Sequence, residues 1–258
     1  MVGDPVLEAR GISMHFVGRN GVLPVLEEVS FCVNRGEVVV VVGPSGIGKT
    51  TLLRILAGLT QPTGGAAYLL GQAIDGPARA RVMVFQEPSV FPWMTVRENI
   101  GYASRVAGAE SPDLSSGPVS ELLDLAGLRA RLDEFPGVLS TGMRRLVELA
   151  RGLAAQPRVL LGDEPLYALD AHSRRVVRDI FLRVIERYSP TMVLTSHDIE
   201  EALLLGDRVL LLTGRPAKIG EQYEVRFDRP RSQELAYSLE FVDLRRRIEE
   251  SLAPGGVA

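Results

Sequence analysis

Val38-Val-Val-Val-Val42 is an unbroken β-branched run, the pattern of a strand covered on both faces in a parallel sheet. A glycine-rich turn follows. Thr51–Gly58 then places Leu52, Leu53, Ile55 and Leu56 before a closing glycine, which predicts a buried helix that stops there. Upstream, the first forty residues read as short apolar stretches divided by turns at Gly18-Arg19-Asn20-Gly21 and Asn34-Arg35-Gly36, the alternation of a β-rich region. Residues 81–86 form another short apolar strand.

The character changes after that strand. Thr95-Val96-Arg97-Glu98 has the spacing of a capping box and predicts a helix start. Residues 105–118 are rich in Gly, Pro, Ser and Asp and read as a loop. Helices are predicted over about 119–126 and 141–155; in the second, Leu146, Leu149, Ala150 and Leu153 share one face. From Arg158 strands and helices alternate again: a strand at Val159–Leu161, a helix at 172–188, a strand at Thr191–Thr195, a helix at 198–205 and a strand at Arg208–Thr213. The pattern is an α/β core (1–87 and 157–230) interrupted by a mostly helical insert at 88–156. A tail (232–258) is expected to be helical and exposed, with Arg245-Arg246-Arg247 on a solvated face.

Composition narrows the classes. The 258 residues are 46% hydrophobic and 24% charged, with 26 glycines and 16 prolines, an ordinary globular balance. A net charge of −3 argues against a nucleic-acid footprint. No apolar run approaches the about 20 residues of a membrane-spanning helix, and Met1-Val-Gly-Asp-Pro5 does not begin like a signal peptide. A single cysteine, Cys32, forms no internal disulfide, so the expected compartment is cytoplasmic. Lysine occurs only at Lys49 and Lys218 among 29 basic residues; against so strong an arginine bias a lysine needs a local reason.

Lys49 has one. Gly43-Pro44-Ser45-Gly46-Ile47-Gly48-Lys49-Thr50 matches G-x-x-x-x-G-K-[ST] without a mismatch and sits between a predicted strand and a helix that opens at Thr51, the context this phosphate loop requires. Its backbone N–H groups and the helix N-terminus cradle phosphates; Lys49 reaches the β- and γ-phosphates and Thr50 ligates Mg²⁺. Downstream, Val159-Leu160-Leu161-Gly162-Asp163-Glu164 is an apolar strand ending in two acids. Asp163 stands where such proteins hold magnesium, and Glu164 where a general base can polarise a water.

With these residues in view the chain resembles the ATPase subunit of ABC transporters over about residues 6–231. Gln86 in Val84-Phe-Gln-Glu-Pro88 resembles the Q-loop, Leu139-Ser-Thr-Gly-Met-Arg-Arg145 the signature, Tyr167-Ala-Leu-Asp170 the D-loop, and His197 in Thr195-Ser-His-Asp198 the switch histidine. A lone Gln or His after a strand is a weak signal; six motifs in the family's order are not. The resemblance implies a P-loop NTPase (RecA-like) α/β core with an N-terminal antiparallel β subdomain and an inserted helical subdomain. It implies ATP and Mg²⁺ as cofactors and an ATP-dependent homodimer in which each signature, through Ser140 and Gly142, caps the γ-phosphate held by the other chain. Ser140 is a favourable N-cap, consistent with an anion site at that helix start. Gln86 would touch the magnesium and the attacking water, and His197 the γ-phosphate. Phe16 resembles the aromatic that stacks on adenine, although an ordinary strand phenylalanine reads the same way.

Three departures stand out. Thr141 replaces the first glycine of L-S-G-G-Q/M, Arg145 and Leu146 replace the usual Gln-Arg, a change expected to remove polar contacts near the signature, and Tyr167 fills a position usually small, beside the dimer seam. Lys49, Asp163, Glu164 and His197 are all present, so hydrolysis is expected. Phe91-Pro-Trp-Met-Thr-Val-Arg-Glu-Asn99, Gly214-Arg-Pro-Ala-Lys-Ile219 and Asp228-Arg-Pro-Arg231 resemble the nitrate/sulfonate/taurine-type importer ATPases. That implies a membrane permease, docked near Phe91, Trp93 and Met94 on the inner face of the membrane, and an external solute-binding protein. The same three side chains would equally serve as core of the helical insert. Competing readings are a nucleotide-responsive ABC module with weak hydrolysis and a soluble ABC ATPase outside transport, the latter usually marked by coiled-coil insertions or fused cassettes that this chain lacks.

Overall fold

The computed structural model describes residues 5–18, 21–106 and 114–252. β1 (Leu7–Gly18) and β2 (Gly21–Val33) form a long antiparallel hairpin, and β4 (Gly64–Leu69) and β5 (Gln72–Ala73) extend it to a four-stranded antiparallel sheet in the order β2-β1-β4-β5. Arg19 and Asn20, at the centre of the first turn read from the sequence, lie outside the described residues. β4 and β5 had no counterpart in the hydrophobic pattern, because Gly64-Gly-Ala-Ala-Tyr-Leu69 offers little periodicity.

The valine run is β3 (Val38–Val42), buried at every position. It lies in a six-stranded sheet of order β10-β9-β3-β8-β7-β6. β9 (Arg208–Thr213), β3, β8 (Met192–Ser196), β7 (Val159–Gly162) and β6 (Arg81–Val84) are mutually parallel, and β10 (Lys218–Glu224) closes one edge antiparallel to β9. Period-two alternation splits the valines between two cores. Val39 and Val41 pack with the hairpin sheet and α1 (Lys49–Leu56), in a core that includes Leu7, Ile12, Leu52 and Leu56. Val38, Val40 and Val42 join the larger core with α4 (Thr141–Ala154), α5 (Ala171–Tyr188) and α6 (Ile199–Leu205).

Between β6 and β7 the chain runs through α2 (Val96–Val106), α3 (Gly117–Leu125), two single 3₁₀ turns and α4. The capping box that opens α2 is complete: the Thr95 N–H donates to the Glu98 carboxylate at 2.8 Å and the Glu98 N–H donates to Thr95 Oγ1 at 3.2 Å. The loop expected over 105–118 is shorter at both ends, since α2 continues to Val106 and α3 starts at Gly117; residues 107–113 lie outside the described residues.

The tail corrects the sequence reading. It is helical, as α7 (Leu239–Leu252), but not exposed along its length: Phe241, Leu244 and Ile248 are buried in the larger core. Their i, i+3, i+7 spacing makes one apolar stripe, while Arg246 and Arg247 face solvent and Arg245 pairs with Glu249 and Glu200. The Phe241 ring stacks on Phe227 with centroids 5.6 Å apart. Phe241→Ala is therefore expected to cost about 3–5 kcal/mol of stability. Urea unfolding checks this, and a loss under about 0.5 kcal/mol, the size of an ordinary surface change, would show that α7 is not docked in solution.

Candidate functional site

The parallel strands end in a row on one side of the sheet, the usual location of a ligand crevice in such folds. β3 hands directly to the Gly43–Thr50 loop, β8 to His197, β7 to Asp163 and Glu164, and β6 to Gln86. The loop turns back through Gly46 (φ 75°) and Gly48 (φ 119°), both in left-handed backbone. A Cβ on Gly48 would lie 2.9 Å from the Val25 side chain, so neither conformation nor space admits another residue there. Gly48 is also the N-cap of α1 and supplies no side-chain cap, leaving the first N–H groups to face the loop's hollow. Ile47 anchors the loop in the core, Gly43 is buried, and Pro44, Ser45, Gly46 and Thr50 are exposed. α1 begins at Lys49, two residues before the expected start, because the glycine break comes at Gly48.

Lys49 is buried, only 5% exposed, and satisfied by oxygens. Its ammonium donates to the Gly43 and Pro44 carbonyls at 2.7 and 3.2 Å and lies 3.1 Å from Glu164 Oε1. The other Glu164 oxygen is 2.9 Å from His197 Nδ1. Glu164 itself holds φ 44°, a strained setting for a side-chain-bearing residue and characteristic of functional positions. Thr195 accounts for part of the constraint, and the sequence reading passed it over. Its fully buried hydroxyl donates to Asp163 Oδ1 at 2.8 Å and accepts the Glu164 N–H at 3.0 Å. Two buried polar residues, Thr195 and Ser196, closing the otherwise apolar β8 were the available signal.

Asp163 is nearly fully buried with its carboxylate held by that hydroxyl. With Thr50 and Gln86 it offers oxygen donors only, a set that suits Mg²⁺ shared with substrate phosphates. Among the described residues there is no cluster of three or more His, Cys, Asp or Glu able to hold a metal alone, and a phosphate-shared magnesium does not need one.

Ser140 caps α4 as expected, accepting the Met143 N–H at 3.2 Å. Thr141 is exposed at the first helical position. Gly142 is the tightly packed residue: a Cβ there would come within 3.2 Å of Ser173 on α5. The expected loss of polar contacts at Arg145 and Leu146 is reversed at Arg145, which is buried and donates to the Phe85 and Gln86 carbonyls, each at 2.6 Å, and to Glu148 at 2.7 Å. Tyr167 is half exposed and meets the His197 ring edge-on at 6.0 Å. Phe16 is 44% exposed near the tip of the β1–β2 hairpin. Trp93 is 69% exposed and so is not core; Phe91, half-buried, lies between Trp93 and Tyr102 with Arg151 over its ring, and Met94 is half-buried beside Arg105.

A family model described as ABC transporter matches residues 26–167, more than half of the chain. The chain belongs to the ABC transporter family. The taurine import ATP-binding protein TauB of Jannaschia sp. (strain CCS1) is 42% identical over 222 residues, 86% of this chain and 82% of that protein. The aliphatic sulfonates import ATP-binding protein SsuB 2 of Burkholderia lata is 42% identical over 81% of this chain and 75% of that protein. The nitrate import ATP-binding protein NrtC of Synechococcus elongatus is likewise 42% identical over 86% of this chain, covering 34% of its own length. The dimeric bacterial ABC transporter cassette MJ0796 superposes with a TM-score of 0.73 at 26% identity, over 86% of this chain and all of that one; its post-hydrolysis form bound to ADP and Pi gives 0.70 at 25% identity.

One acid of this ABC cassette titrates out of place. Glu201 on α6 accepts from Ser196 Oγ at 3.2 Å beside His197. Burial, and then the charge of Asp198, raise its carboxyl from 4.5 to about 7, against the opposing pull of the Ser196 hydrogen bond, Arg174 and His197. The folded chain thus keeps a proton that the unfolded chain releases, and stability attributable to this group declines as pH rises from about 4.5 to about 7. Glu201→Gln removes that titration, so the melting temperature of the variant relative to wild type should climb across this interval. A difference that stays flat from pH 5 to 8 would show that Glu201 ionises normally.

Proposed function

We propose that this chain is the ATP-hydrolysing subunit of a membrane importer for a small anion or organic solute of the nitrate, sulfonate or taurine kind. The observation that carries the reading is the Lys49–Glu164–His197 contact chain at the carboxyl ends of three adjacent parallel strands, in a chain 42% identical to import ATP-binding proteins for those solutes.

In the mechanism this reading implies, the Gly43–Thr50 loop and the N-terminus of α1 hold the triphosphate, with Lys49 on the β- and γ-phosphates and Thr51 close by. Phe16 stacks on the adenine. Thr50, Asp163 and Gln86 would hold Mg²⁺, which neutralises charge developing on the transferred phosphoryl group when bound. Glu164 accepts the proton of the attacking water. His197, hydrogen-bonded to that carboxylate, orients it and reaches toward the γ-phosphate. Ser140 and Gly142, at the start of α4, present the helix N–H groups to a nucleotide on a second copy of the chain. MJ0796 is described as a dimeric cassette, which supports the same arrangement here. Trp93, exposed and flanked by half-buried Phe91 and Met94, offers a surface of the kind enriched at interfaces, facing a permease that keeps the subunit on the inner membrane face. Among the described residues no helix is long and apolar enough to cross a membrane; the translocation path is assigned to that partner.

Steady-state phosphate release with Mg-ATP tests the assignment. Lys49→Ala should weaken ATP binding and remove turnover. Glu164→Gln should keep binding, accumulate an ATP-bound dimer on size exclusion and cut turnover at least about 100-fold, the low end for loss of a general base. Turnover unchanged in Glu164→Gln would refute the general-base role, and wild-type protein silent even with permease-containing membranes would favour a nucleotide-responsive module.

A further inference from the structure

The segment after β6 carries Gln86 and leads to the aromatic ridge at Phe91–Trp93, yet it is an irregular loop whose backbone polar groups need partners. Side chains of α4 supply them. Arg145 donates to the Phe85 carbonyl through one terminal nitrogen and to the Gln86 carbonyl through the other, each at 2.6 Å. Glu148 neutralises that guanidinium at 2.7 Å and accepts the Ser89 N–H with its second oxygen. Arg151 donates to the Ser89 carbonyl at 3.0 Å and to its hydroxyl at 2.6 Å, and also lies over the Phe91 ring. The three residues occur every third position, so they line one stripe of the helix. Arg145 and Glu148 are 4% and 2% exposed.

We propose that the buried Arg145–Glu148 pair is a latch of positioning residues that fixes the Gln86 segment to the signature helix, so that Gln86, the aromatic ridge and Ser140 keep one geometry. The fork of arginine is what allows two successive carbonyls to be held at once. A glutamine, usual at position 145 in the family resembled, has one amide nitrogen and no charge. Using arginine there requires a buried counter-charge, because an unpaired ion in the interior is costly, and Glu148, one turn on, is that counter-charge. The latch deepens the ATPase reading and rests on the role assigned there to Gln86, whose side chain makes no hydrogen bond among the described residues.

The double variant Arg145→Met/Glu148→Met removes both charges together, leaving no lone buried ion. It is expected to fold, with ATP KM within about twofold of wild type, as for a change outside ground-state binding. Its kcat should fall roughly tenfold and its half-saturating Mg²⁺ should rise by about the same factor, the low end of the scale on which outer-sphere positioning partners act. The single tryptophan, Trp93, gives a readout independent of turnover: its steady-state anisotropy in nucleotide-free protein should drop as the loop loosens. A folded double variant with wild-type anisotropy and wild-type Mg²⁺ dependence overturns the latch. If the double variant does not fold, Arg145→Lys decides: it keeps the pair with Glu148 but cannot span two carbonyls, so the same shifts should appear in smaller measure, and wild-type values there overturn the proposal. Gln86→Ala separates the two claims. If it leaves Mg²⁺ dependence and turnover untouched, the role of Gln86 fails, while Trp93 anisotropy still decides the latch.

Discussion

β3 must be buried on both faces, and most of the architecture follows from satisfying that demand. Five valines alternate between two cores, so one strand needs a hairpin sheet and α1 on one side and a layer of helices on the other. Where the strand stops, after Val42, the chain turns out through exposed Pro44, Ser45 and Gly46 and back to buried Lys49, passing close to Leu212 at Gly43 and to Val25 at Gly48. The glycines permit that close passage and the left-handed backbone at Gly46 and Gly48, and the tight turn leaves α1 starting at Lys49 without a side-chain cap. The loop proposed to hold the phosphates thus lies where a doubly buried strand ends beside a helix.

The chemistry is organised by the same burial. Lys49 sits in a low-dielectric pocket and is tolerated only because two carbonyls and a carboxylate face it. Glu164 is shared between that ammonium and His197, and its left-handed backbone is held by the Thr195 hydroxyl, which also grips Asp163. A single buried hydroxyl therefore contacts both acids at the end of β7, and their surroundings differ: Asp163 is enclosed by that hydrogen bond, while Glu164 opens toward the cation and the imidazole.

The signature region shows how a departure from a family pattern can be compensated. Thr141 meets no crowding within its own chain, where it is exposed, while the small residue that packing demands is Gly142, against Ser173. Arg145, which removes the usual glutamine, brings Glu148 with it and gains the backbone of the Gln86 loop. The likeness to taurine, sulfonate and nitrate import subunits fits a cassette whose nucleotide end is held to a common geometry, with the exposed Trp93 as the surface proposed to meet a separate partner.

Local patterns were enough to read much of this molecule. The valine run, the phosphate loop, the paired acids at 163–164, the capping box at Thr95 and the Ser140 cap all depend on residues within a turn or a strand of one another, where spacing and side-chain chemistry decide conformation. What lay beyond the sequence depends on contacts between distant segments. Thr195 joins Asp163 and Glu164 across 32 and 31 positions. Arg145 reaches back 60 residues to Phe85. Phe241 turns a helix that reads as a solvated tail into part of the core. A polar residue in an apolar strand, an i,i+3 Arg–Glu pair and an apolar helical stripe leave local signs, but what each one contacts is decided only by the partner that tertiary packing brings to it.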